Sequence, residues 1–371
     1  MKEIKVKITE DKEYKICIER GILDKLGEYL SNIIENRRLF IITNPLVNSL
    51  YGAKLLATLK KGEFNSDLIE VPDGEKYKSL STANYLYDEL LKRKADRTTT
   101  LIALGGGVIG DLVGFVASTY MRGLPLIHIP TTLLAHLDSS MGGKVAVDHP
   151  LAKNIIGSFY QPLAVYIDPE VLQTLSDKDI KNGIVEAIKI SVISSPSLFK
   201  WLEKNIDQLL NKNINLLDEL VKKSISLKVD VVLKDPWERG LRKTLNFGHS
   251  IGHALEVWAG YQDLNHGEAV ALGMLIETKI ACNRGICSKD LEEQIKHILS
   301  FPRKRESMFK YIKNIDYNQF WETLTLDKKN FQGRITFILP EIIGKVSLVD
   351  NITKEEVIKA LEEFKKEWEL C

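Results

Sequence analysis

TTLIALGGGVIGD, Thr99 to Asp111, is an apolar run that ends without a break in three glycines and is followed by a second apolar run reading as a helix. A strand that turns at glycine into a helix lets the backbone approach a phosphate closely, and the helix N-terminus offers it free N–H groups. Gly105, Gly107 and Gly110 fit G-x-G-x-x-G in that strand-to-helix context, a pattern suggestive of nucleotide binding but not specific to it. The loop follows a late strand, and no acidic residue stands about twenty positions on to hold a ribose. Glu75, in PDGEKYK after an earlier strand, is the candidate instead, against the plainer alternative of an exposed turn acid.

Upstream, Ile4 to Ile8 and Tyr14 to Ile18 alternate apolar and polar residues as half-buried strands do. Then come a helical pattern over Ile22 to Ile34, an apolar run Leu39 to Thr43, a helix near Val47 to Leu59, a strand at Leu68 to Val71 and a helix from Thr82 to Leu91. Short apolar strands separated by helices imply a parallel sheet covered on both faces. Downstream, Leu126 to Gln161 sets Thr131, Thr132, Asp138, Ser139, Ser140, Lys144, Lys153 and Asn154 among glycines in an otherwise apolar stretch. Polar groups in such company suggest a cleft rather than a solvated loop.

After a last strand at Ala164 to Ile167, helical periodicity dominates: Ile184 to Val192, Ser197 to Leu210, Leu216 to Leu233 and Lys289 to Leu299. A final helix opens with the capping box Thr353 to Glu356 and carries the packing stripe Val357, Leu361, Phe364 and Trp368. The expected division is a parallel-sheet domain over residues 1–175 and a mainly α-helical domain over 176–371.

Composition bounds the function. At 371 residues the length favours two domains, and 44% apolar with 27% charged residues is ordinary for a globular protein. A net charge of +1 argues against a nucleic-acid partner. No apolar run approaches the roughly eighteen residues of a membrane span, and the charged, alternating N-terminus lacks a signal-peptide core. A cytoplasmic protein with no membrane partner is expected. Cys17, Cys282, Cys287 and Cys371 form no CxxC pair and read as reduced thiols.

The helical half contains RKTLNFGHSIGHALEVWAGYQDLNHGE, Arg242 to Glu268, with three of the chain's seven histidines. His249 and His253 stand at i and i+4 and share one helix face, while His266 opens another apolar run. Imidazoles brought together by two helices suit a divalent metal, although helix-packing histidines are an equally good reading of spacing alone. Glu186 and Lys189, in IVEAIKI, lie on one face of an apolar helix, as a metal-binding acid or an intrahelical ion pair would. Lys228, Arg242 and Asn246 add donors for a carboxylate or phosphate. A nucleotide loop, a metal and anion anchors together point to nicotinamide-dependent chemistry at an alcohol carbon of a sugar acid or polyol phosphate.

PDGEKYKS, LGGGVIGDLVGFVASTYMRG, IPTTLLAHLDSSMGGKVAVD, KNIIGSFYQP, EAIK, GLRKTLNFGHSIGHALE and HGEAVALGM resemble the successive blocks of the 3-dehydroquinate synthase family, in order, over most of residues 70 to 275. The resemblance implies an α/β plus α fold, a Rossmann-like domain followed by a helical one, and a homodimer of the shikimate pathway. It implies NAD and one divalent metal, Zn2+ or Co2+, with Glu186, His249 and His266 as metal ligands. For NAD it points to Asp73, Gly74, Glu75, Lys76, Tyr77 and Lys78; to Gly107, Val108, Ile109, Gly110 and Asp111; and to Thr131, Thr132, Lys144, Lys153, Val171, Leu172, Gln173 and Thr174.

For a seven-carbon keto acid phosphate it points to Asp138, Lys144, Asn154, Lys189, Lys228, Arg242, Asn246 and His253, with a lysine of the Asp327-Lys328-Lys329 block near the phosphate. Arg122 resembles an arginine contributed across the dimer interface. The implied reaction is transient oxidation of an alcohol by NAD, phosphate elimination, return of the hydride and aldol closure to 3-dehydroquinate. Another sugar phosphate cyclase, or a metal-dependent polyol dehydrogenase, is the alternative. Asn44 stands where the family often has an aspartate, Pro236 replaces a commonly acidic position, and the basic loop Pro302 to Arg305 departs from the usual pattern.

Overall fold

The computed structural model describes residues 1–9, 12–150, 152–260, 264–301, 306–326 and 335–368. The basic loop at 302–305, the block 327–329 and Cys371 lie outside them. The chain forms two compact units, Met1–Ile180 with Lys212–Pro236, and Lys181–Asn211 with Trp237–Cys371.

The first unit is built on β1 (Lys2–Thr9), β2 (Lys12–Ile18), β3 (Arg38–Thr43), β4 (Asn65–Glu70), β5 (Thr100–Gly105), β6 (Leu126–Pro130), β7 (Lys144–His149), β8 (Ala152–Phe159) and β9 (Ala164–Ile167). Seven of them make one sheet in the order β1-β2-β9-β6-β5-β3-β4. The pairs from β2 through β4 are parallel, and β1 adds an antiparallel edge. Leu39, Ile41, Ile102 and Leu104 pack on one face with Leu26, Leu30, Leu55 and Leu59. Phe40, Ile42, Leu101 and Ala103 pack on the other with Leu86, Leu90, Leu112 and Val116. A strand buried on both faces must be apolar at every position, which is why β3 and β5 read as continuous runs.

The sheet order places the glycine loop. From β3 the chain moves outward to β4; from β5, on the other side of β3, it moves the opposite way to β6. The carboxyl ends of β3 and β5 therefore flank the reversal point where open α/β sheets bind ligands. A strand late in sequence is central in space.

The polar stretch after β6 contains the antiparallel hairpin β7–β8, which packs on the helix Gly107–Thr119. A Cβ on Gly114 would come within 2.3 Å of Val145 Cγ1, so glycine is required at that crossing. The long helix Ile214–Lys234 also belongs to the first unit, packed against the turns Ala135–Ser139 and Pro169–Thr174.

In the second unit the helix His266–Asn283 is buried from Gly267 to Ala281, as a helix apolar on every side must be. Around it lie the helices His249–Trp258, Lys289–Ile298 and Lys354–Glu367, together with the hairpin of β10 (Phe337–Ile342) and β11 (Lys345–Val349). Thr353 and Glu356 form the capping box, with Val357, Leu361 and Phe364 buried and Trp368 stacked on Phe364. Among the described residues no helix is long and apolar enough to cross a membrane.

Candidate active site

His266 is the first residue of its helix, held there by a capping box in which Asn265 and Glu268 satisfy each other's backbone N–H groups. At Gly267 a Cβ would come 2.6 Å from Asn182 Cα, so the helix start lies directly on the helix Asp177–Ser194. Glu186 is one turn past Asn182, and its Oε1 is 3.6 Å from His266 Nε2. His249 is placed by a second glycine contact. A Cβ on Gly273 would come within 1.9 Å of the Gly248 carbonyl oxygen, so the two histidine helices cross backbone to backbone. Gly248, at φ 78°, turns the chain into the His249–Trp258 helix, and its N–H donates to Glu277 Oε2 at 2.7 Å. His249 Nε2 then lies 3.8 Å from Glu186 Oε1, with Nδ1 3.2 Å from the Phe247 carbonyl oxygen.

One ligand atom from each of Glu186, His249 and His266 lies within 4.8 Å of the others. Two imidazoles and a carboxylate make the donor set of a borderline divalent cation with a position left open. The electrostatics agree. Burial by itself would lower the His266 pKa, but the carboxylates of Glu186 and Glu256 outweigh it and raise the imidazole to about 9. A pocket that favours positive charge this strongly suits a metal ion. His253 lies beside the set, with ring centroids 5.3 Å from His249 and 6.1 Å from His266. Thus the spacing pair His249 and His253 shares one face, and the tertiary fold adds Glu186 and His266 to it.

Lys189 Nζ is 2.5 Å from Glu186 Oε2, and both side chains are almost excluded from solvent. Arg242 is buried in the turn Leu241–Asn246, where Asn246 donates to Glu238 Oε1 at 3.0 Å. Glu238, Glu256 and Glu277 were not singled out by sequence. Glu256 carries the signal that marks Glu186, an acid on an apolar helix near histidines. Glu277 has only its place in an apolar run.

In the first unit, Gly105 ends β5 and Gly107 begins the helix that carries Val108, Ile109, Gly110 and Asp111. Thr131 donates its N–H to the Gly105 carbonyl at 3.0 Å, and a Cβ on Gly106 would meet Thr132 Cγ2 at 2.9 Å. The threonine loop therefore lies against the glycine turn. Asp73 and Gly74 follow β4, and Glu75, Lys76 and Tyr77 form a single turn with the Lys76 ammonium over the Tyr77 ring.

Lys78 ties these segments together. Its Nζ reaches Glu75 Oε1 at 2.9 Å, Asp111 Oδ2 at 3.4 Å, Asp148 Oδ1 at 3.6 Å and Asn154 Oδ1 at 2.6 Å. Burial opposes its charge, yet Asp111, Glu75 and Asp148 hold its pKa above the ordinary lysine value. Burial lifts Asp111 to about 6 against the pull of Lys78. Lys153 Nζ approaches Glu75 at 3.8 Å.

Asn44, the departure after β3, accepts from Val47 N–H as a helix cap and donates to Asp73 Oδ1 at 2.7 Å, presenting a carboxylate beside the position it occupies. Val171, Leu172, Gln173 and Thr174 lie in one short turn, where the Tyr51 hydroxyl donates to the Val171 carbonyl at 3.1 Å. Lys228, buried in its helix, pairs with Asp138 Oδ1 at 2.5 Å. Lys144 opens β7 and is exposed, and Arg122 is exposed on backbone at φ 70°.

The family described as 3-dehydroquinate synthase N-terminal matches residues 68–182, and 3-dehydroquinate synthase C-terminal matches residues 183–330. A 3-dehydroquinate synthase of Thermodesulfovibrio yellowstonii is 42% identical over 363 residues, covering 98% of this chain and all of that protein. Among solved structures, 2-epi-5-epi-valiolone synthase from Streptomyces hygroscopicus subsp. jinggangensis 5008, with NAD+ and Zn2+ bound, is 26% identical with a TM-score of 0.87 over 98% of this chain and 99% of that one. A 2-deoxy-scyllo-inosose synthase complexed with carbaglucose-6-phosphate, NAD+ and Co2+ shares the fold at a TM-score of 0.86 and 24% identity, covering 98% of this chain and 99% of that one. The likeness extends through both units and across the segments that carry the glycine turn and the histidine cluster, so the chain belongs to the 3-dehydroquinate synthase family.

Proposed function

We propose that the chain converts 3-deoxy-D-arabino-heptulosonate 7-phosphate to 3-dehydroquinate and phosphate, with NAD and one Zn2+ or Co2+ ion. The observation that carries this reading is the convergence of Glu186, His249 and His266, with the buried Lys189 on the same carboxylate, in a chain of this family. Those three residues would hold the cation. The segments Asp73 to Lys78 and Gly107 to Asp111, with Thr131, Thr132, Lys144, Lys153 and Val171 to Thr174, would hold NAD. Bound there, the cation would supply Lewis acidity toward an alcohol oxygen and NAD a reversible hydride acceptor, with no net redox change.

The remaining work belongs to the chain's own charges. Arg242 offers a planar fork for carboxylate or phosphate, and Lys189 and Lys228 offer point charges, each paired with a carboxylate. Asn246 is oriented by Glu238, and Asp138, Asn154 and His253 would be further substrate-binding groups. Groups fixed in this way position the substrate and stabilise the negative charge that develops as phosphate departs. We further propose a cytoplasmic homodimer in which Arg122 serves the partner's site, with the NAD-binding segments within residues 1–175 and the metal ligands within 176–371.

The test is phosphate release from the heptulosonate phosphate with trace NAD, before and after a chelator, while NADH absorbance is followed. Chelator-sensitive release without NADH accumulation is expected. NADH accumulating without phosphate would instead assign a polyol dehydrogenase. Release only from a sugar phosphate lacking the carboxylate would assign a different cyclase.

A further inference from the structure

Glu256 has no part in the reaction as proposed, yet it faces the second nitrogen of His266. It lies two turns after His249 in the same helix and is 4% exposed. Its Oε1 is 3.4 Å from His266 Nδ1, while His266 Nε2 is 3.6 Å from Glu186 Oε1. A neutral imidazole carries one proton, and the hydrogen bond made by one nitrogen decides whether the other presents a lone pair. A buried carboxylate facing Nδ1 keeps the hydrogen there. The Nε2 lone pair is then directed toward Glu186 and His249.

We infer that Glu256 is a positioning residue, fixing the tautomer and ring orientation of His266 so that Nε2 ligates the metal. The inference rests on the ligand set proposed above. A different use of the same atoms is also geometrically open, because His253, Glu256 and His266 form a second group with ligand spacing. A cation there would compete with the Nδ1 proton, and His266 could serve both groups only by losing its last proton. The carboxylate–histidine–metal arrangement needs no such loss.

The experiment uses full-length protein stripped of metal. Zn2+ affinity is measured by competition with a chromophoric chelator, the absorption spectrum is recorded after Co2+ loading, and folding is checked by circular dichroism. Glu256→Ala is expected to bind Zn2+ about 10- to 100-fold more weakly, with an altered Co2+ spectrum. Glu256→Gln, whose amide oxygen still accepts from Nδ1–H, recovers most of the affinity. Glu186→Ala and His249→Ala lose binding altogether.

Wild-type affinity and spectrum in Glu256→Ala, beside loss in those two controls, would overturn the role of Glu256 alone. Retained binding in the controls would instead remove the ligand set on which it rests. Two equivalents of Zn2+ bound by the wild type, one of them lost in Glu256→Ala, would make Glu256 a ligand and overturn the inference. Should Glu256→Ala not fold, long-range 1H–15N correlation spectra of the Zn2+-loaded wild type decide the matter: protonated Nδ1 on His266 is expected, and protonated Nε2 refutes it.

Discussion

Lys78 brings one positive charge to a place where Glu75, Asp111 and Asp148 bring three negative ones, and its side chain is only 5% exposed. Taking away the cation leaves carboxylates facing one another with reduced access to water. Removing one partner of a buried ion pair typically costs about 3–5 kcal/mol, and the partial exposure of the acids here places the loss for Lys78→Met at the lower end. Urea unfolding should show a fall of about 3 kcal/mol, accompanied by weaker NAD binding in calorimetry. His266→Ala is the corresponding change in the second unit. It should abolish retained metal after dialysis, and turnover with it, because Glu186 and His249 alone leave too few protein ligands for a catalytic zinc site; a metal-replete, active variant would remove His266 from the ligand set. Glu186 and Lys189 were legible as charges on an apolar helix face. Lys78 was visible only through the family resemblance, because in sequence it sits in a charged turn whose burial depends on β7 and β8 folding over it.

At the scale of elements, three glycines bear on the Glu186–His249–His266 cluster more directly than the helices' apolar pattern does. Gly248, Gly252 and Gly273 lie where the two histidine helices cross, and Gly252 meets Ala269 backbone with a notional Cβ at 3.0 Å. A methyl group at Gly273 has the Gly248 carbonyl in its way, and a backbone cannot rotate aside as a flexible side chain can. Gly273→Ala should therefore force the helices apart, lowering stability by about 1–3 kcal/mol or more. Since His249 follows Gly248 directly, metal affinity should fall together with the melting temperature; unchanged affinity would mean that the crossing does not set the cluster. The helices themselves were legible, one from the i, i+4 pair and the other from the apolar run that His266 opens, and the Asn265–Glu268 cap holds His266 as the first residue of the second. The β7–β8 hairpin was not legible. Asn154 at φ 51° and Gly157 interrupt the alternation of β8, and much of that strand is exposed, so neither face announces itself.

At the scale of the molecule, the alternation of strands and helices revealed the sheet domain, and the change of periodicity revealed the helical one. Sheet order could not be read because it depends on contacts between strands far apart in sequence. The assignment of Ile214–Lys234 to the first unit depends on such contacts too, since its apolar stripe suits any surface of matching shape. Burial also gives the first unit an acid sensitivity that composition does not reveal. His128 in β6 and His136 in the following turn are both buried, and that burial pushes each imidazole down to about 4. His128 faces Gly110, and His136 hydrogen-bonds the Pro130 carbonyl. Between about pH 6.5 and 4 the unfolded chain binds protons that these native histidines refuse, so their stabilising contribution, full above 6.5, is lost as pH falls. Asp111, raised by burial, works in the opposite sense over part of that window, so the pH profile of the wild type mixes both effects. The difference between wild type and His128→Leu isolates one histidine. Relative to wild type, the variant should gain roughly 1.4 kcal/mol for each pH unit below 6.5 until about pH 4, measured by urea unfolding at pH 7, 6 and 5. A difference that stays constant across that range would show that His128 takes up its proton in the native state as readily as in the unfolded chain.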